Sequence, residues 1–135
     1  MSKITREVAE LDFTRFVEAM DIDVDTDNMT EDDKKSFNST KDRIVKAIEK
    51  GSLVINDNGE PVYTPQRGGE DSNPITFYEP TGASLMAMDK KGKDEDIRKL
   101  YSVMADMTKT SSGIFSKMKM SDLKVCQAIT MLFLA

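Results

Sequence analysis

Histidine is absent, and cysteine occurs once, as Cys126. The first absence removes the commonest general base, the Ser–His and Cys–His pairs of nucleophilic catalysis, and every His-containing metal site. The second excludes an intramolecular disulfide framework and a Cys-rich zinc site, and it fits a reducing compartment. No G-x-x-x-x-G-K-S/T or G-x-G-x-x-G run occurs, and Gly68-Gly69 sits in a polar stretch beside Asn and Pro. No apolar run approaches the ~20 residues of a membrane span, and no basic-then-apolar leader opens the chain. No stripe of bases alternates with aromatics, so neither nucleic acid nor a membrane is expected as a partner. Carboxylate chemistry stays open in principle, but the acids gather in loops and on helix surfaces. The composition predicts a protein without cofactors that is not an enzyme.

What the chain has in excess is acid, and most of the excess is local. "DIDVDTDNMTEDD", Asp21 to Asp33, holds seven acids and no base, while the remainder carries 17 acids and 19 bases. The alternation of Asp21, Asp23 and Asp25 invites a calcium-loop reading, which needs glycine at position 6 and a bidentate Glu at position 12. Position 6 is Thr26, which resists the left-handed turn, and position 12 is Asp32, one methylene short. Position 8, normally apolar, is Asn28, and starting at Asp23 puts Lys34 at position 12. No metal is expected. The alternative is a solvated, self-repelling loop that ends in Thr30 as an N-cap, with Glu31, Asp32 and Asp33 placed well against the helix dipole.

At 135 residues, 39% hydrophobic and 32% charged, the chain fits a single globular domain with a modest core. Hydrophobic spacing predicts a helix over roughly Lys3 to Met20, with Ile4, Val8, Leu11, Phe13, Phe16, Val17 and Met20 on one face. After the acidic run, Phe37, Ile44, Val45 and Ile48 share a stripe that Gly51 terminates, with Lys50 beside it. The cluster Asn38-Ser39-Thr40 leaves open a split into a short turn and a main helix from about Thr40. "LVINDNGEPVYTP" then reads as a hairpin, Asn58-Gly59 being the turn between two strand-like runs. Residues 65–74 form a mobile loop, and "ITFYEP" alternates Ile75 and Phe77 as a third short strand would. Three strands make a small sheet where two alone would be marginal.

From Thr81 the pattern turns helical again. "TGASLMAMDKKGKDED" starts a short helix that breaks at Gly92. "DEDIRKLYSVMADMTK" places Ile97, Leu100, Tyr101, Met104 and Met107 on one face, and "SSG" punctuates it. The last helix begins at Ser121 as N-cap and aligns Leu123, Cys126, Ile129, Leu132 and Phe133 along one side. No internal repeat or low-complexity tract is visible. The predicted class is α+β, mostly α: helices with a small hairpin or three-stranded sheet in the middle. Residues 1–74 supply the N-terminal helices, hairpin and loop, and 75–135 a helical core, within one domain.

Two features of the second half bear on function. Seven of ten methionines fall at or after Met86, and such unbranched, polarizable side chains either fill a helical core or form a surface that adapts to a partner. The chain also stops on an apolar run, "MLFLA", where ends are usually polar. That run either docks into its own core or is offered to another chain. If the second, Leu123, Cys126, Ile129, Leu132 and Phe133 form the partner-binding face; Cys126 is most simply a small core residue.

The order "DFTRFVEAMDIDVD", "RIVKAIEKGSLVINDNGEPVYTP", "ITFYEPTGASLMAMD" and "IRKLYSVMADMTKTSSGIFSKMKMSDLKVCQAITMLFL" resembles the phage tail assembly chaperones, specifically the short ones of Mu-like and P2-like phages. The resemblance covers most of the chain, is strongest from Ile75 onward, and lies in apolar positions rather than catalytic signatures. It implies a non-enzymatic assembly factor in the cytoplasm of an infected host. Such a factor coats the tape measure protein, keeps it soluble, helps recruit major tail tube subunits, and leaves before the tail is finished. In many relatives a ribosomal frameshift appends a second domain to this end. The physics agrees: long amphipathic helices aggregate when bare, and an adaptable apolar face holds them by helix-in-groove packing. Head-to-tail self-association would let many copies follow a long partner. A phage-encoded inhibitor of a host protein and a small structural or completion protein of the virion are the other classes the sequence admits.

Overall fold

The computed structural model describes residues 4–22, 27, 29–66, 73–82, 84 and 96–134. Its elements are α1 (Arg6–Ala19), α2 (Glu31–Lys50), β1 (Leu53–Ile55), β2 (Pro61–Tyr63), β3 (Ile75–Thr76), α3 (Asp96–Thr108), α4 (Ser112–Ser116) and α5 (Met120–Phe133). The expected class is the observed one, a mostly helical α+β chain with a three-stranded antiparallel sheet in its middle, ordered β1-β2-β3.

α1 opens on Thr5, whose hydroxyl accepts from the Val8 amide at 3.2 Å, and turns Ala9, Phe13, Phe16 and Val17 inward. That spacing differs from the expected face. Val8 and Leu11 are 44% and 66% exposed, because the aromatic pair Phe13 and Phe16 decides which side of α1 is core and Ala9 continues that side. α2 runs unbroken. Thr30 accepts from the Asp33 amide at 3.1 Å, and Gly51 closes the helix at φ 84°. No split occurs at residues 38–40, since Thr40 turns its hydroxyl back to the Ser36 carbonyl at 2.9 Å and stays within the helix.

The amide of Ile4 donates to the carbonyl of Glu49, so the start of α1 lies beside the end of α2 and the two helices are antiparallel. Arg6 bridges to Asp42 and Glu49, and Lys41 to Glu10, across this seam. α5 packs along another side of α2. Its first turn meets Tyr63 and its last meets Phe16, the Phe133 and Phe16 rings standing edge to face at 5.3 Å. α5 therefore also runs antiparallel to α2.

In the sheet, Leu53 pairs with Tyr63 and Tyr63 with Ile75, so Leu53, Ile55, Tyr63, Ile75 and Phe77 face the core. The turn between β1 and β2 is built by Asn56, whose side-chain oxygen accepts from the amides of Asn58 and Glu60, both at 2.9 Å. Gly59 adopts φ 80°, and a Cβ there would stand 2.3 Å from that of Ala19. The turn is thus pressed against the end of α1. Arg15 holds the same junction by donating to the carbonyls of Ile55 at 2.7 Å and Asn56 at 2.6 Å.

α3 buries Val103, Met104 and Met107, with Leu100 and Tyr101 partly buried beside them. The Tyr78 amide donates to the Met107 carbonyl and ties β3 to the end of this helix. The stretch expected only to punctuate the chain contains α4, which sinks Phe115 completely. α5 starts at Met120 with Lys119 as its N-cap rather than Ser121, and no side chain caps it. One hydrophobic cluster joins buried residues from α1 through α5, Phe16, Ile44, Ile48, Phe77, Val103, Phe115 and Ile129 among them. The centre of the acidic run, the loop around Gly68-Gly69, the short helix expected after Thr81 with its break at Gly92, and the side chain of Ile97 lie outside the described residues.

Candidate functional site

The C-terminal half of α2 has two faces. Ile44, Val45, Ala47 and Ile48 enter the core, and Arg43, Lys46 and Lys50, spaced three and four apart, stand outward on the opposite side. The first turn of α5 lies across from them and brings Ser121, Asp122, Lys124 and Val125. Between the two helices is a cleft of about 720 Å³, floored by Ser52 and Tyr63 and closed at one end by Gln66.

Asp122 lies beneath this cleft and is 2% exposed. The Tyr63 hydroxyl donates to its Oδ1 at 2.6 Å, and the Gln66 amide donates to the same oxygen at 2.8 Å. A buried carboxylate is tolerable only when donors replace the water it lost, and here the sheet and the following loop supply them. Burial, and then the hydrogen bond to Asp122, push the Tyr63 phenol far above its usual range. It stays a neutral donor. Cys126, one turn along α5, is fully buried, and burial followed by the charge of Asp122 pushes its thiol up as well. Such a thiol is a packing group and not a nucleophile; its sulfur sits 3.7 Å from that of Met118.

The rim has different electrostatics. Asp42 is shared by Lys46 at 3.1 Å and Arg6 at 3.0 Å, and these hydrogen bonds hold its carboxyl below the usual range. Arg43, Lys50 and Lys124 have no acid within ion-pair distance among the described residues. The cleft thus offers cations and hydroxyls above a carboxylate that is already occupied. Its chemistry is recognition of an anionic group. Among the described residues no group of three or more His, Cys, Asp or Glu could hold a metal ion, and no helix is long and apolar enough to cross a membrane.

The face expected to bind partners is placed otherwise. Leu123, Cys126, Ile129 and Leu132 are 4%, 0%, 0% and 3% exposed, and Phe133 is half-buried against Phe16. Of the terminal apolar run, Leu132 docks into the chain's own core and Phe133 and Leu134 pack against it, while Met131 stays exposed. Leu123, Cys126, Ile129 and Leu132 meet a second chain only if α5 is released, while Phe133 keeps part of its surface open.

The outside of α5 is what a neighbour would touch. Met120 and Met131 are 61% and 55% exposed, with Lys124 and Gln127 between them. Eleven residues make three turns with about 20° left over, so the two methionines share a stripe. The methionine-rich half is divided: Met104 and Met107 fill the core, Met118 packs against it, and Met120 and Met131 lie on the surface. The eleven-residue spacing and the Arg43–Lys46–Lys50 stripe were both available in the sequence. The pairing of Tyr63 with Asp122, across 59 residues, was not.

Comparison of the chain with protein-family models, with curated proteins and with solved structures finds no match.

Proposed function

We propose that this protein is a non-enzymatic binding factor, a phage tail assembly chaperone that holds the helices of a tape measure protein on the outer face of α5. The observation that carries this reading is the Met120–Met131 stripe, two long, unbranched apolar side chains left in water at opposite ends of one helix. An exposed methionine pair adapts to whichever apolar residues a client helix presents, and Lys124 between them suits the acids of an amphipathic partner. The sequence resemblance supports the choice of client, being strongest over this part of the chain. On this reading the protein works in the host cytoplasm, associates with itself along the tape measure, hands over to major tail tube subunits, and is absent from the finished virion.

Co-expression with the tape measure encoded by the same phage tests the proposal. The wild-type chain should keep the tape measure in the supernatant and co-purify with it. Met120→Glu with Met131→Glu should fold normally by circular dichroism and lose both properties. A double variant that solubilises and retains the tape measure as well as the wild type overturns the reading.

A further inference from the structure

The protein carries a formal charge of −5, yet one cleft concentrates the opposite sign. Arg43, Lys46 and Lys50 line it from α2 and Lys124 from α5, against two acids, Asp42 and Asp122. We propose that this cleft binds a small oligophosphate, a chain of two or three linked phosphates, either free or as the end of a nucleotide.

Both acids are already engaged. Asp42 is held by Arg6 at 3.0 Å and Lys46 at 3.1 Å. Asp122 is buried, with its Oδ1 accepting from the Tyr63 hydroxyl and the Gln66 amide. Arg43, Lys50 and Lys124 are exposed and form no ion pair among the described residues. Three like charges therefore border one space, and an anion that enters it relieves their repulsion as well as pairing with them. Arg43 and Lys50 stand about 10 Å apart along the axis of α2, a gap that two long side chains close from either end. Lys124 faces them from the other helix, and Ser39 and Ser121 add a hydroxyl on each wall.

Charge density selects the ligand. A phosphate monoester carries about −1.5 to −2 near neutral pH, and each further linked phosphate adds to that. A di- or triphosphate thus brings, in one compact body, about the charge that three cations can meet. Its oxygens accept from guanidinium, ammonium and hydroxyl groups alike, and Arg43 can hold one phosphate through two parallel bonds. A cleft of about 720 Å³ is the size of a small-molecule site. Gln66 closes one end, so the space suits a compact ligand and not a chain that runs through. Long polyanions meet a second obstacle. Outside the cleft they face a protein of net negative charge, whereas a compact anion stays within the ~8 Å over which the cations act at physiological salt. Neither Met120 nor Met131 lines this cleft, so binding here stands apart from the client proposed for the outer face of α5.

Isothermal titration calorimetry on the full chain, with a chelator present to remove divalent metal, tests the site with sodium tripolyphosphate, ATP and inorganic phosphate. Tripolyphosphate should bind one to one at about 50 mM salt and much more weakly at about 500 mM, where screening acts over a few ångströms. ATP should bind comparably, because the two share the phosphate chain. Inorganic phosphate, with about half the charge, should bind at least about tenfold more weakly than either. Arg43→Gln with Lys50→Gln, and Lys124→Gln alone, should fold normally by circular dichroism and weaken tripolyphosphate binding about tenfold or more. Lys34→Gln with Lys109→Gln removes two charges away from the cleft and should bind as the wild type does. A wild-type chain that gives no saturable binding of tripolyphosphate overturns the proposal. So does a folded Lys124→Gln chain that binds as the wild type does, or a Lys34→Gln, Lys109→Gln chain that loses as much as the cleft variant. Hexaglutamate binding more tightly than tripolyphosphate would also overturn it, since the cleft would then read carboxylates along a peptide.

Discussion

The Tyr63 hydroxyl and the Asp122 carboxylate meet at 2.6 Å and join the middle of the sheet to the first turn of the last helix. Removing either end has unequal consequences. Tyr63→Phe takes away one donor while the Gln66 amide still serves the carboxylate, and should cost about 1.5–3 kcal/mol. Asp122→Ala strands the buried Tyr63 hydroxyl and the part-buried Gln66 amide at once and should cost about 3 kcal/mol or more. Urea unfolding of both variants measures the difference; equal losses would show that the carboxylate holds nothing beyond the phenol.

The same pair sets an alkaline limit. The folded chain keeps the Tyr63 proton above the phenol's ordinary 10.0, and the Cys126 proton above the thiol's ordinary 9.0, whereas the unfolded chain releases both. Their contribution to stability is therefore complete at neutral pH and fades as pH climbs past about 9 and then 10. Tyr63→Phe should flatten the upper part of that decline. Denaturant midpoints taken from pH 7 to 11 check it, and a wild-type midpoint that holds steady over this range contradicts it.

Gly59 faces two demands, a left-handed backbone and the nearness of Ala19. Gly59→Ala should destabilise by about 3 kcal/mol, part of it strain at positive φ and part of it the clash. Adding Ala19→Gly should recover the clash part and leave the backbone part. A double variant no more stable than Gly59→Ala would place the whole cost in the backbone.

Residues two apart on α5 should respond in opposite ways. Ile129 is fully buried and Met131 is 55% exposed. Ile129→Asp should unfold the chain, since an unpaired carboxylate in the core costs several kcal/mol, roughly. Met131→Asp should shift stability by no more than about 0.5 kcal/mol. Phe133→Ala, losing an edge-to-face contact with Phe16 and part of its burial, should fall between them at about 2 kcal/mol. Circular dichroism melts rank the three.

Cys126 gives a readout of opening. A buried thiol held in its protonated form should resist maleimide or Ellman's reagent in the native chain and react fully in urea. Its labelling rate should follow global unfolding, because Cys126 sits in the centre of the core. Fast native labelling would mean that α5 opens on its own.

The elements were legible because their signals are local. Thr30 and Gly51 bracket α2 by side-chain oxygen and by left-handed backbone, and Asn58-Gly59 marks the hairpin through torsion angles that few other pairs accept. Faces were harder. In α1 both Val8–Leu11 and Phe13–Phe16 fit a helical stripe, and only the tertiary arrangement selects the aromatic one. In α5 the apolar stripe from Leu123 to Phe133 was visible in full, but whether it faces inward or toward a partner is decided by α2 and Phe16, which spacing along one helix does not report. The cleft needed two helices and a sheet to be brought together, so its cations were readable and their common address was not.

Arg15 has a consequence for what the sheet can do. The even-numbered residues of β1 bond to β2, as Thr64 to Ser52 and Asn56 to Glu60 show, so the carbonyl of Ile55 points away from the sheet toward an open flank. Left bare, that edge would be a ready template for a stray strand. The guanidinium of Arg15 occupies the Ile55 carbonyl that such a strand would need. Backbone zippering along β1 therefore has to displace Arg15 from the Ile55 carbonyl first, so a side chain of α1 guards the edge of the sheet.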